Sequence, residues 1–273
     1  MTGREPYRLL DLFSGIGGFS LGLERTGGFK TVAFCEIEDF PRRVLKKHWP
    51  EVPCYDDVRT LTAERLAADG VERPNVITGG FPCQDVSCAG KQAGVVDGTR
   101  SGLWSEIVRL TCELAPRFVI VENVANLLAG PSERPGGWFG RVLGDLAGCG
   151  YNAEWANIPA AFVGAPQRRE RIWIVAYPAE DNVEQVLEAA QTAGQLRGSA
   201  WRSWPNGLDQ SFVCREANGL PGDTHRIAAL GNAVVPQIPE LIGNAILAAD
   251  RTATTEPVGT PATVTSGGRG NVP

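Results

Sequence analysis

The chain has 273 residues with 26 basic and 31 acidic side chains, a formal net charge of −5, 43% apolar residues and 21% charged ones. This is the composition of a globular protein with a sizeable core, and it excludes one that coats nucleic acid through bulk positive charge. No apolar run reaches about 18 residues, and MTGREPYRLL lacks a charged head followed by an apolar stretch, so neither a membrane span nor a signal peptide is expected.

In chain order, the first strand is expected over YRLLDL (7–12). It runs into LLDLFSGIGGFSLGLE (9–24), a glycine-rich turn that opens a helix. In an open α/β sheet such a turn lies at the carboxyl edge, where ligands bind. Gly15-x-Gly17-Gly18 is not the dinucleotide pattern, because Ser20 holds the third position, so a pyrophosphate site and a nicotinamide-dependent oxidoreductase are disfavoured. KTVAFC (30–35) is a second strand, followed by Glu36, which is 21 positions beyond Gly15. Glu36 is either a surface acid after a tight turn or a carboxylate that accepts both hydroxyls of an unmodified ribose. The second reading points to S-adenosylmethionine.

Helical patterns in DFPRRVLKKHW and LTAERLAADG lead to a strand over NVITG (75–79) and then to GGFPCQDVSCAGKQAG (79–94). Pro82 stiffens the turn before Cys83. Gly90, Gly94, Gly98 and Gly102 would each cost a helix about 1 kcal/mol relative to alanine, so a loop able to close over substrate is expected there. Cys83 by itself is a structural cysteine or a nucleophile; neither His48 nor His225 has a motif that would make it the base of a hydrolase.

LWSEIVRLTCELA is helical, and RFVIVEN (117–123) is a buried strand ending in Glu122-Asn123. An acid there is a helix cap or a site residue, and desolvation would raise its pKa toward a useful acid–base range. After the helical FGRVLGDLAG come strands over YNAEWANI (151–158) and RIWIVAY (171–177). Arg169 and Arg171 are two apart at the start of the latter, so both are expected to point the same way. Together with Arg168 they form a basic patch, and a bare arginine cluster is more often a solvated surface than a nucleic-acid contact.

From 178 to 225 the periodicity breaks: a helix-prone piece, DNVEQVLEAAQTAGQL, precedes a stretch with Trp201, Trp204 and Phe212 among arginines and glycines. A small irregular module is expected here. QIPELIGNAILAAD then returns with one apolar stripe, and the Thr-, Gly- and Pro-rich 251–273 is expected to be a disordered tail. The predicted architecture is an open, mostly parallel α/β sheet with helices on both faces, over 1–177 and completed by 226–250. The seven cysteines (35, 54, 83, 88, 112, 149, 214) are scattered, with no C-x-x-C, so no metal site is expected and reduced thiols in a cytoplasmic setting are the better reading.

DLFSGIGGF, GGFPCQDVS, ENV, QRRER and ALGNAVVP (229–236) occur in that order, and together they resemble the DNA (cytosine-5)-methyltransferase family in its bacterial or phage modification form. The resemblance spans residues 9 to about 243 and implies a Rossmann-like catalytic domain with 178–225 as a target-recognition region. It implies that a cytosine flipped out of double-stranded DNA is attacked at carbon 6 by Cys83, held by Glu122, and methylated at carbon 5 from S-adenosylmethionine. Arg169 would position the base and Arg171 support the acid. Phe13, Gly15, Ile16, Gly17 and Gly18 would hold the cofactor, with Glu36 and Ile37 at the ribose and Asp57 and Val58 flanking the adenine. Pro82, Leu103, Asn232, Ala233 and Val234 would close that site. A monomer in a bacterial host or phage-infected cell is implied, with no metal, no membrane and no physical need for a cognate restriction endonuclease.

Two departures stand out. The stretch between QRRER and ALGNAVVP is short for a region that reads DNA sequence, and Ala233 stands where serine is frequent in the family. Two rival functions remain open at this point. One is a tRNA cytosine-5 methyltransferase with the same chemistry; the other is a non-catalytic DNA-binding protein on the same scaffold.

Overall fold

The computed structural model describes residues 5–81, 102–128, 137–165, 168–181, 183, 185–198 and 229–253. Its strands are β1 Tyr7–Leu12, β2 Phe29–Cys35, β3 Cys54–Tyr55, β4 Val76–Gly79, β5 Phe118–Val124, β6 Tyr151–Pro159 and β7 Glu170–Pro178. Its helices are α1 Gly18–Glu24, α2 Asp39–His48, α3 Ala63–Ala68, α4 Leu103–Leu114, α5 Gly137–Gly148, α6 Val186–Gly198 and α7 Gln237–Ala253.

The strands form one sheet in the order β3-β2-β1-β4-β5-β7-β6. β3 through β5 are parallel, and β7 runs antiparallel between β5 and β6. The expected mostly parallel α/β sheet is what the chain forms. Its order reverses between β1 and β4, so the chain leaves these neighbours in opposite directions and opens a crevice at their carboxyl ends. The glycine-rich turn follows β1, and the Cys83 segment follows β4. Both therefore start from one crevice.

Alternation along the strands splits the core into two layers. Leu10, Leu12, Ile77, Val119 and Val121 pack with Trp104, Ile107 and Leu110 of α4 and Val142 and Leu146 of α5. On the opposite face Leu9, Val76, Phe118, Ile120 and Trp173 pack with Phe19 and Leu23 of α1 and Ile238, Leu241, Ile242 and Ile246 of α7. α7 is also tied by Asp250, which accepts from the Tyr7 hydroxyl and, at 2.6 Å, from Arg117 Nη2. That contact joins the end of the last helix to the starts of β1 and β5.

Two features depart from the sequence reading. Cys112 of α4 and Cys149, just past α5, form a disulfide with a Cα–Cα distance of 5.5 Å. These two are therefore not the reduced thiols expected, because α4 and α5 cover one face of the sheet and bring residues far apart in sequence together. The second departure concerns α6, which lies within the stretch set apart as a separate module. Its Val186, Leu187 and Ala190 belong to the same apolar layer as α7, and Glu154 of β6 accepts from the N–H groups of Val186 and Leu187 at 3.2 and 3.1 Å. Residues 199–228, with Trp201, Trp204 and Phe212, lie outside the described residues, as do 254–273 of the expected tail; α7 itself continues to Ala253.

Candidate active site

The turn after β1 is built from left-handed backbone. Phe13 has φ +52°, Gly15 +52° and Gly17 +86°. A phenylalanine there costs on the order of 1 kcal/mol and persists only where its surroundings hold it. Several contacts do so: Ser14 N–H donates to Cys35 O at 3.2 Å, and Ser14 Oγ donates to Asp11 O at 2.5 Å. Gly18 must lack a side chain for another reason, since a Cβ there would lie 2.5 Å from Val234 O. Val234 of the late Asn232-Ala233-Val234 segment is thereby brought against the end of the first turn. A Cβ on Gly15, in contrast, would meet nothing within 4 Å, so the turn faces open space.

Glu36, just past β2, is 8% exposed. Its Oε2 accepts from Gly15 N–H at 2.7 Å and its Oε1 from Glu38 N–H at 2.8 Å. Each carboxylate oxygen retains acceptor capacity, so the group is oriented yet able to take two hydroxyls. Beside it Ile37 is 63% exposed, an apolar surface next to a polar anchor. Asp57 is committed to Arg59, whose Nη2 lies 2.7 Å from Oδ2; the guanidinium holds the Asp57 carboxyl below its ordinary range. Val58 is buried beside it, and Leu103, at the start of α4, packs on the same apolar layer. A carboxylate held this way beside an open glycine turn can accept the hydroxyls of a ribose.

Glu122 sits near the carboxyl end of β5 and is 9% exposed. Arg171 Nε lies 3.0 Å from its Oε1. Burial pushes the Glu122 carboxyl up, and the positive charges of Arg171 and Arg169 oppose that rise without cancelling it. Arg169 itself is not on β7: it precedes the strand with φ +31°, so strand alternation does not set its direction. Its Nη1 donates to Gly231 O at 2.6 Å, whereas Arg171 turns to Glu122. The two side chains take different partners, one a backbone carbonyl and the other Glu122, and both stand close enough to Glu122 for their charges to act on it. Burial and its neighbour Arg171 pull Arg169 below its ordinary value.

Pro82 and Cys83 lie outside the described residues. The chain that leads to them is placed, however. Asn123 Nδ2 donates to Phe81 O at 3.1 Å, and a Cβ on Gly80 would stand 3.5 Å from Glu122 Oε2. Asn123 stands out in the sequence only as the neighbour of Glu122, Ser20 only as the break in the glycine pattern, and Asp11 and Thr78 not at all. The latent signal for these was polarity inside otherwise apolar segments. Among the described residues, no group of three or more His, Cys, Asp or Glu side chains is placed to hold a metal, and no helix is long and apolar enough to cross a membrane.

Sheet order and crevice define a Rossmann-like fold, and the carboxylate–guanidinium pair lies at the carboxyl edge of its sheet. The chain belongs to the C-5 cytosine-specific DNA methylase family, whose model matches residues 7–199. It is 32% identical over 191 residues to the type II methyltransferase M.Sau3AI of Staphylococcus aureus, covering 66% of this chain and 46% of that protein. It is 38% identical over 230 residues to M.Eco47II of Escherichia coli, covering 78% of this chain and 52% of the relative. The chain thus spans about half the length of the curated relatives it matches. Among solved structures, it superposes with TM-score 0.52 and 28% identity on a candidate DNA modification methyltransferase encoded within an E. coli prophage, over 63% of this chain and 47% of that one. The fold is also that of Spodoptera frugiperda DNMT2, with TM-score 0.53 and 21% identity over 65% of this chain and 52% of that one.

Proposed function

We propose that the protein transfers a methyl group from S-adenosylmethionine to carbon 5 of a cytosine flipped out of double-stranded DNA, through a covalent adduct on Cys83. One observation carries this reading: Gly80 and Phe81 abut Glu122 and Asn123 at the sheet edge. Cys83 follows Phe81 by two residues, a reach of at most about 7 Å. A thiol and a buried acid thus leave neighbouring strands at the switch point, with a ribose-type anchor, Glu36, at the adjoining turn.

The chemistry then needs no histidine. The Cys83 thiolate adds to carbon 6, while the carboxyl proton of Glu122 passes to ring nitrogen 3 and the electron pair settles on carbon 5. S-adenosylmethionine supplies the methyl group. Loss of the carbon 5 proton to a base, departure of the Cys83 sulfur as thiolate and return of the nitrogen 3 proton to Glu122 restore the ring and the enzyme. A carboxyl group whose hold on its proton is strengthened by burial is suited to this task, and Arg171 fixes its orientation. Phe13, Gly15, Ile16, Gly17 and Gly18 shape the donor site, with Ile37 and Val58 lining it and Asp57 oriented by Arg59. Pro82, Leu103, Asn232, Ala233 and Val234 close it. Arg169, anchored to Gly231, ties the base-binding side to that closing segment.

Target recognition falls to the 178–225 region in this reading, and within it to the part beyond α6, because Val186, Leu187 and Ala190 of α6 belong to the core. DNA is favoured over tRNA by the family match and by the relatives, which are type II methyltransferases. The test is incubation with S-adenosylmethionine and duplex oligonucleotides carrying 5-fluorocytosine, which blocks loss of the carbon 5 substituent. A covalent adduct mapping to Cys83 is expected. None should form with Cys83→Ala, and a parallel incubation with tRNA should give no methylation. An unadducted, folded, donor-loaded protein would overturn the reading.

A further inference from the structure

Asp11 lies in β1, between the apolar Leu10 and Leu12, and its side chain is fully buried. Its Oδ1 accepts from Thr78 Oγ1 of β4 at 2.8 Å, and its Oδ2 accepts from Ser20 Oγ of α1 at 2.8 Å. Asp11 O also receives the Ser14 hydroxyl that braces the strained turn. One residue therefore joins three pieces: the donor turn, the helix that follows it, and the strand leading to Cys83.

We propose that Asp11 is a positioning residue whose ionised carboxylate clamps the donor turn and α1 to β4, so that binding of the methyl donor is linked to release of a proton from Asp11. This rests on the reading of the turn as an S-adenosylmethionine site. The ionised group accepts from both hydroxyls at once. When protonated, one of its oxygens becomes a donor, so Ser20 or Thr78 must turn its own hydrogen elsewhere and one link of the clamp is rewired.

The surroundings make this equilibrium responsive. α1 presents Ser20 and β4 presents Thr78; the end of β2 adds Cys35 and Glu36, and β3 adds Cys54. Glu36 is the charged group acting on Asp11, and it repels. The two thiols are pushed up to about 12 and about 11 and stay neutral. Burial is the dominant influence, raising the Asp11 carboxyl to about 7, against the opposing hydrogen bonds from Ser20 and Thr78. A buried acid held by two hydroxyls beside a second carboxylate is an expensive way to brace a strand. S-adenosylmethionine has a sulfonium and an ammonium against one carboxylate, hence a net positive charge. Such a ligand at the adjoining turn favours the ionised form.

The experiment is calorimetric titration of S-adenosylmethionine into the full chain without DNA, so that no step at Glu122 or Cys83 contributes. If the ionised form is the competent one, affinity should weaken about tenfold between about pH 8 and about pH 6. Asp11→Asn should bind with little pH dependence over that range. Ser20→Ala and Thr78→Val each remove a bond to the carboxylate and should move the wild-type midpoint to higher pH, which a purely structural brace would not do. Thermal unfolding confirms that each variant is folded, and the two hydroxyl variants carry the test if Asp11→Asn does not fold. A flat wild-type profile, or unmoved midpoints in both hydroxyl variants, overturns the linkage while leaving the donor site intact. Absence of binding at every pH overturns the donor reading itself, and this inference with it.

Discussion

Arg171 Nε lies 3.0 Å from Glu122 Oε1 across the antiparallel β5–β7 pair, so the one reversed strand of the active-site edge supplies the counter-charge to its buried acid. Since burial holds the Glu122 carboxyl above its ordinary value, the acid form persists to higher pH than in an exposed glutamate. A reaction needing that proton runs at low pH and fails as pH rises through the folded-state value. The same raised value means that the group's contribution to stability is present below its unfolded value and is lost over that rise. Glu122→Gln should lower kcat by about 10²–10⁴-fold and erase the falling limb. Arg171→Ala removes a charge that opposes the rise, so its falling limb should move to higher pH. Initial methylation rates across pH for the three proteins check both statements.

Glu36 should govern donor affinity. It orients through Gly15 and Glu38 and offers its remaining lone pairs. Hydrogen bonds to a charged group contribute about 1.5–3 kcal/mol, so Glu36→Ala should weaken S-adenosylmethionine binding by roughly 10- to 100-fold. Calorimetry at fixed pH measures it, and wild-type affinity in the variant would remove Glu36 from the site.

Gly22 tests how tightly the late segment packs on α1. A Cβ there would come within 2.1 Å of Pro236 O, so Gly22→Ala should destabilise by about 1–3 kcal/mol. Gly144, inside α5, has nothing within 4 Å of an added Cβ, and Gly144→Ala should stabilise by roughly 0.5–1 kcal/mol. Denaturant melts of the pair must shift in opposite directions.

The Cys112–Cys149 bond closes a separation of 37 residues. Chain entropy assigns such a closure on the order of 4 kcal/mol, so a reductant should lower the melting temperature of wild type and leave a Cys112→Ser/Cys149→Ser double variant unmoved. Equal response of the two proteins would contradict the pairing.

The order of strands and helices, the glycine-rich turn after β1 and the acid ending β5 were all legible in the sequence. Each is written in near neighbours: apolar periodicity for the elements, backbone freedom at Gly15 and Gly17 for the turn. The Asp11–Ser20–Thr78 cluster was not legible, because Ser20 and Thr78 become neighbours of Asp11 only when β1, α1 and β4 pack. The backbone at Arg169 was not legible for a related reason: it precedes the strand in left-handed conformation, so its spacing from Arg171 does not by itself set its direction. The commitment of α6 to the core and the pairing of Cys112 with Cys149 are likewise decided at long range. Local sequence sets which face each segment buries; which distant segment covers that face is settled by packing the whole sheet.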